Sequence, residues 1–245
     1  MGCDIHIYTE IKKNNTWDVV KVKNSWKTYL QDQLKEAKQD NNEKQIERYI
    51  ERINDEEDLV VEGIYDGRNY NLFGILADVR NGRGFAGIRT GDGFIPISEP
   101  KGLPDDVSET VQEESDNWEG DGHSHSYFSL TELLDYDWTQ NTKSTGWVGE
   151  NEFKVFLDKG SPDSYSGGVD GGNVVHINND EMKNIINNKE NKDETKNYYT
   201  HIEWEISYLE AAVAFYTDTI PQLKEIADKN NISYDDIRIV FWFDN

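Results

Sequence analysis

The chain is short of several things that familiar protein classes need. Of its 245 residues one is cysteine, Cys3, five are proline and five are histidine. A lone cysteine excludes an internal disulfide and any multi-cysteine zinc site, and it suits a reducing cytoplasm. Cys3 itself reads as a small buried hydrophobe rather than a nucleophile. No run of about 18 apolar residues is present, so no membrane span is expected. Asp4 and His6 interrupt the start and no apolar stretch follows them, so no signal peptide is expected either. Position 6, where N-myristoylation wants Ser or Thr, is His6. Positive charge is also scarce: 25 Lys and Arg stand against 48 Asp and Glu, a net charge of −23. That balance argues against nucleic acid as a direct ligand, because binding it means neutralising phosphates with basic side chains. A mean hydropathy of −0.82 would suit a disordered chain, yet 12% of the residues are aromatic. Disordered chains are poor in aromatics, so the sequence reads as a packed, acidic protein long enough for a substantial core.

Hydrophobic periodicity orders the chain. Residues 3–12 alternate, with Cys3, Ile5, Ile7 and Thr9 on one face and Asp4, His6, Tyr8 and Glu10 on the other. Asn14-Asn15 reads as a turn into a second strand over 17–22. From 29 to 57 the composition shifts to Lys, Glu, Gln, Asp and Asn, with Leu30, Leu34, Ile46, Tyr49, Ile50 and Ile53 spaced for one helical face. The break at Asp40-Asn41-Asn42 predicts two antiparallel helices, a charged arm inserted in the domain. Residues 70–79 predict an apolar helix, and Pro104-Asp105-Asp106 predicts a helix start running to Trp118. Ser129-Leu130-Thr131-Glu132 is a capping box. Residues 173–177 and 198–206 predict strands, 180–187 a helix, 187–196 a mobile polar linker, and 208–229 a helix kinked or divided at Pro221. The apolar run 237–243 predicts a strand buried on both faces and central in its sheet. The expected fold is a single α+β domain over 1–245, with a mixed or antiparallel central sheet containing both terminal strands.

Three features carry chemistry. Three of the five histidines fall in Asp4-Ile5-His6 and Gly122-His123-Ser124-His125. Side chains at i and i+2 of a strand share a face, so each motif offers two donors to one point. Asp4, His6, His123 and His125 are therefore candidate ligands of a divalent metal such as zinc or manganese, with Asp121 and His123 as catalytic candidates. Asp-x-His and Gly-His-x-His also resemble end motifs of calcineurin-like metallophosphoesterases, but the intervening signatures of that family are missing. Only the ligand logic carries over, not the fold. The plainer reading is that these histidines bond a loop backbone or sit satisfied in the core.

The second feature is a basic island. Four of the seven arginines, Arg68, Arg80, Arg83 and Arg89, lie between Gly67 and Gly91 with only Asp78 opposing them. Six glycines interleave with them, which lets backbone amides approach an anion while guanidinium forks grip it. Arg68, Arg80 and Arg83 are candidate phosphate ligands. Asn71 and Asp78, seven apart and so two turns along one helical face, are candidates to orient a sugar or base. Equally, these arginines could pair with the abundant carboxylates. The third feature, the acidic run from Asp105 to Glu119, is ordinarily a solvated helix face, and alternatively an imitation of a phosphate backbone.

Together, MGCDIH at 1–6, YNLFGILADVRNG at 70–82, DGHSHS at 121–126 and VFWFDN at 240–245 resemble a group of bacteriophage and prophage proteins. The resemblance spans most of the chain apart from the charged arm and brings no established activity. It implies a phage-encoded accessory protein in the host cytoplasm, of a kind that acts on host defences or nucleotide metabolism. The expectation is binding of a phosphorylated, nucleotide-like small molecule and its metal-assisted hydrolysis. The alternatives are a sponge that sequesters a host signalling nucleotide, and an acidic DNA mimic that occupies a host protein. A homo-oligomer is a further option, and no membrane partner is expected.

Overall fold

A computed structural model describes residues 2–61, 63–188 and 192–244. The opening strand β1 (Asp4–Lys13) and the closing strand β9 (Ile237–Asp244) pair antiparallel along eight residues, from Asp4 opposite Asp244 to Ile11 opposite Ile237. They form the centre of a four-stranded sheet in the order β2-β1-β9-β5, with β2 at Thr16–Val19 and β5 at His123–Ser129. Asn14 and Asn15 make the first turn with φ of 51° and 65°, a left-handed pair that asparagine tolerates and that matches strand twist. The fold is α+β, and both terminal strands lie in this antiparallel sheet.

Alternation divides the two faces of the sheet. Ile5, Ile7, Phe128, Phe241 and Phe243 point into the main core. There they meet α3 (Tyr70–Ala77), α5 (Leu130–Asp135) and α9 (Ile220–Asn230), which contribute Phe73, Leu133 and Leu223. Val240 and Trp242 point the other way, into a smaller apolar layer with Val111 of α4 (Glu109–Asp116). Being covered on both sides is why 237–243 reads as unbroken apolar sequence. Arg238 is the exception, and its charge is met within the layer. Its Nε donates to buried Glu10, directly opposite on β1, and its Nη1 to Asp106, both at 2.7 Å.

Asp106 explains a departure from the expected helix. Residues 104–107 form a turn rather than a first helical turn, because Asp106 is held by Arg238 and by the Trp17 indole at 2.9 Å. The helix starts later, at Glu109, with Ser108 accepting from the Val111 amide and donating its own amide to Glu10 at 2.7 Å. The acidic run is thus partly consumed, with Asp106 on Arg238 and Glu114 on the Tyr8 hydroxyl.

A second sheet takes the order β6-β8-β7, with β6 at Asn141–Gly149, β7 at Val174–Ile177 and β8 at Asn197–Ser207. β7 runs parallel to β8, and α6 (Glu150–Lys159) and α7 (Asn179–Asn187) cover the face of Val148, Ile202 and Trp204. The charged arm forms as α1 (Ser25–Gln39) and α2 (Glu43–Asn54), broken at 40–42. At its base β3 (Val22–Lys23) and β4 (Leu59–Val60) pair antiparallel, and Asn24 caps α1 and donates to the Glu57 carbonyl at 3.0 Å. The 208–229 segment divides, but at Ala212 rather than at Pro221: α8 (Tyr208–Ala211) is followed by a π-helical stretch at Phe215–Thr219 that runs straight into α9, with Pro221 in the first turn of α9, where a missing amide is tolerated. The expected mobile linker at 187–196 falls in part outside the described residues. No helix among the described residues is long and apolar enough to cross a membrane.

Candidate functional site

The Asp4 end of the sheet gathers charged and polar side chains from five segments. Asp244, the last described residue of β9, accepts the Asp4 backbone amide on Oδ1 at 2.9 Å, and its Oδ2 lies 3.4 Å from His6 Nε2. His6 is held by rings on two sides, with Trp118 at 4.1 Å and Trp242 at 5.8 Å between centroids. Arg68 forks onto Asp4 with Nε and Nη2 at 2.6 and 2.5 Å, and this guanidinium pair holds the Asp4 carboxyl below its ordinary range. Arg80 arrives from the segment after α3 in a left-handed conformation with φ 54°. It lies 5.7 Å from the Tyr70 ring and hydrogen-bonds the Cys3 thiol. Burial nevertheless pushes the thiol pKa up, which fits the inert role expected of Cys3. His123 senses both Asp244 and Arg80, and burial lowers its pKa.

A cleft of about 420 Å³ opens beside this cluster, where Asp4, His6 and Tyr8 face Ser25, Tyr65 and Asp66. It exists because β2 pairs only with Glu10–Lys13, which leaves the outer edge of Asp4–Thr9 to the loop around Gly63. Gly63 is required there, since a Cβ at that position would lie 2.8 Å from the Ile7 carbonyl oxygen. Two wider clefts lie elsewhere, about 690 Å³ beside Trp17 and Asp106 and about 870 Å³ beside Trp147 and Glu150. In the first Asp106 is tied to Arg238, and in the second Lys192 is tied to Glu150 at 2.8 Å. Neither is lined by any of the expected ligand residues.

The four expected metal ligands do not converge, because His6 lies opposite Trp242 and His123 opposite Phe243, on the two faces of the sheet, and a bulge then parts His125 from His123. His123 pairs with Phe243 and Ser126 with Phe241, so three steps on β5 match two on β9, with Ser124 left-handed at φ 52°. This β-bulge breaks the two-residue alternation. His123 therefore stacks on Phe243, which faces the main core, whereas His125 stacks on Trp242 on the other face. Trp242 then separates His125 from His6. His125 is bonded to Ser115 of α4 at 2.9 Å, and burial lowers its pKa. Among the described residues no group of three or more His, Cys, Asp or Glu could hold a metal ion. The zinc or manganese site expected from Asp4, His6, His123 and His125 does not assemble.

The basic island also divides. Arg68 and Arg80 belong to the Asp4 cluster, but Arg83 lies on an exposed hairpin, donating to the Gly87 carbonyl at 3.1 Å, and does not join them. Asn71 and Asp78 do not share a helical face, because α3 ends at Ala77 and Asp78 caps it with φ 58°. Asp78 accepts from Asn81 at 2.7 Å, while Asn71 hydrogen-bonds Tyr165. Asp121 is exposed in the turn before β5 and lines none of these clefts. Asp244, Trp118 and Asp66 were not among the expected site residues. Asp244 carried a usable signal, being the residue that a central terminal strand sets opposite Asp4. Comparison with family models, with curated proteins and with solved structures found nothing that matches this chain.

Proposed function

We propose that the chain binds a phosphorylated, nucleotide-like small molecule in the cleft at the Asp4 end of the four-stranded sheet. The observation that carries this reading is the Asp4 carboxylate, gripped by the exposed Arg68 guanidinium, in the lining of a cleft of about 420 Å³ that also presents His6, Tyr8, Tyr65 and Asp66. A nucleotide needs both signs of partner. The guanidinium of Arg68 grips phosphate as it now grips Asp4, and exchange is easy because the Asp4–Arg68 pair is solvent-exposed. Asp4 and Asp66 accept the ribose hydroxyls, and the Tyr65 and Tyr8 rings offer stacking surface to the base. A cleft of this size lies within the usual range for small-molecule sites, roughly 300–1,000 Å³.

Sequestration is the mode favoured over metal-assisted hydrolysis, because Trp242 and the bulge at Ser124 keep the imidazoles of His6, His123 and His125 apart. The reading places the chain with phage accessory proteins that withdraw a host signalling nucleotide. Isothermal titration against adenosine and guanosine mono-, di- and triphosphates and cyclic dinucleotides tests it, with the titrated mixture then chromatographed. Binding by wild type, its loss in Arg68→Glu and recovery of intact nucleotide support the proposal. Absence of binding across the panel removes it, and recovery of cleaved nucleotide replaces sequestration with catalysis.

A further inference from the structure

The other half of the basic island forms a feature that the cleft does not use. Arg83 and Arg89 pair as antiparallel bridge partners, and the tip between them turns through Ala86 at φ 57° and Gly87 at φ 74°. Phe85 at this tip is 66% exposed and Ile88 is 44% exposed. Alanine in the left-handed region is strained, and strain of this kind clusters where a loop is shaped for contact. The finger thus presents an apolar tip flanked by two guanidinium groups, on a chain whose net charge is −23.

A surface of complementary character lies elsewhere on the same molecule. Between β5 and α4 an open pocket of about 400 Å³ is lined by Leu103, Ser115 and His125 together with Asp116 and Glu119. The Asp116 carboxylate accepts only from the exposed Gln112 side chain, at 2.8 Å, among the described residues. We propose that the finger docks into this pocket on a second copy of the chain, with Phe85 entering beside Leu103 and Arg83 and Arg89 meeting Asp116 and Glu119. Both arginines can exchange partners on docking. The Arg89–Asp92 pair is solvent-exposed on both sides, and Arg83 bonds only a loop carbonyl among the described residues. Nucleic acid or an anionic bilayer repels the acidic body, as a second copy also does at long range, and presents a continuous array of charge. A second copy offers its carboxylates at discrete points beside Leu103. Long-range repulsion between copies is screened beyond about 8 Å at physiological salt.

Finger and pocket are different surfaces, so the contact is head-to-tail and either closes reciprocally or propagates. Sedimentation velocity across a wide protein concentration range at physiological salt tests it. Wild type is expected to associate with rising concentration, and Phe85→Asp to weaken association by about tenfold or more. Arg89→Asp weakens it too, and the double variant Arg89→Asp, Asp116→Arg restores it. Thermal melts of each variant confirm that exposed-site changes leave the fold intact. A wild type that stays monomeric overturns the proposal, as does an assembly unaffected by Phe85→Asp. Phe85-dependent binding of a monomer to phosphatidylglycerol vesicles also overturns it.

Discussion

The two faces of the four-stranded sheet use the same strands for different ends. On one face Ile5, Ile7, Phe241 and Phe243 are apolar side chains in a single large core, and each acts through area removed from water. On the other, Glu10 and Arg238 sit opposite each other, fully or nearly buried as charges, a few residues from the His6, Trp242 and His125 stack. A buried ion pair is stabilising only while every charge is met. Here Glu10 accepts from Arg238 and the Ser108 amide, and Arg238 forks onto Asp106 while lying 3.8 Å from the Trp17 ring. The apolar face tolerates loss in proportion to volume, whereas the charged face tolerates replacement of a set better than removal of one member.

That contrast predicts its own largest effect. Glu10→Ala strands Arg238 in the apolar layer and is expected to cost about 3–5 kcal/mol in chemical denaturation. The double variant Glu10→Met, Arg238→Met removes both charges together and is expected to recover most of that loss. A double variant no more stable than the single would show that the charges, and not their pairing, support the layer. Phe243→Ala on the apolar face is expected to cost about 3–5 kcal/mol through its cavity, with no partner change able to rescue it.

Acid sharpens the comparison at a smaller scale. His123 and His125 both titrate below 6.5 in the folded chain because burial disfavours their charged forms. Between the folded values and 6.5 the unfolded state binds more protons, so stability rises with pH across that window and is lost as pH falls below 6.5. Urea midpoints at pH 7.5 and 5.5 should fall with acid in wild type and fall less in His125→Gln. Equal slopes would remove His125 as a contributor. The smallest effect on stability belongs to the exposed end of the sheet: Arg68→Ala should leave the urea midpoint unchanged while weakening nucleotide binding.

Much of the fold was legible because its strands alternate cleanly. β1, β8 and β9 were read from periodicity and apolar runs, and the arm from its helical spacing and its Asp-Asn-Asn break. β6 was not read, because its buried positions include Ser144 and Gly146, residues without apolar signal. Gly146 is small for a reason the sequence does not display, since a Cβ there would meet the Tyr165 ring at 2.5 Å. The candidate site was half legible. Asp4, His6 and Arg68 do gather at the cleft, but the alternation rule placed His125 with His123. An inserted residue reverses that phase, and no local pattern announces a bulge at Ser124. Asp106 misled in a related way, since an acid after proline suits a helix start as well as it suits a distant arginine.

The most direct measurement is a histidine imidazole 15N–1H spectrum recorded while an adenosine nucleotide is titrated into the protein. Five histidines give few signals, and two of them, His176 and His201, flank Trp147 on the second sheet as internal controls. The account predicts a saturable shift of His6, which lines the cleft, with His176 and His201 unmoved. Shifts confined to His176 and His201, or none with any nucleotide of the panel, would contradict it.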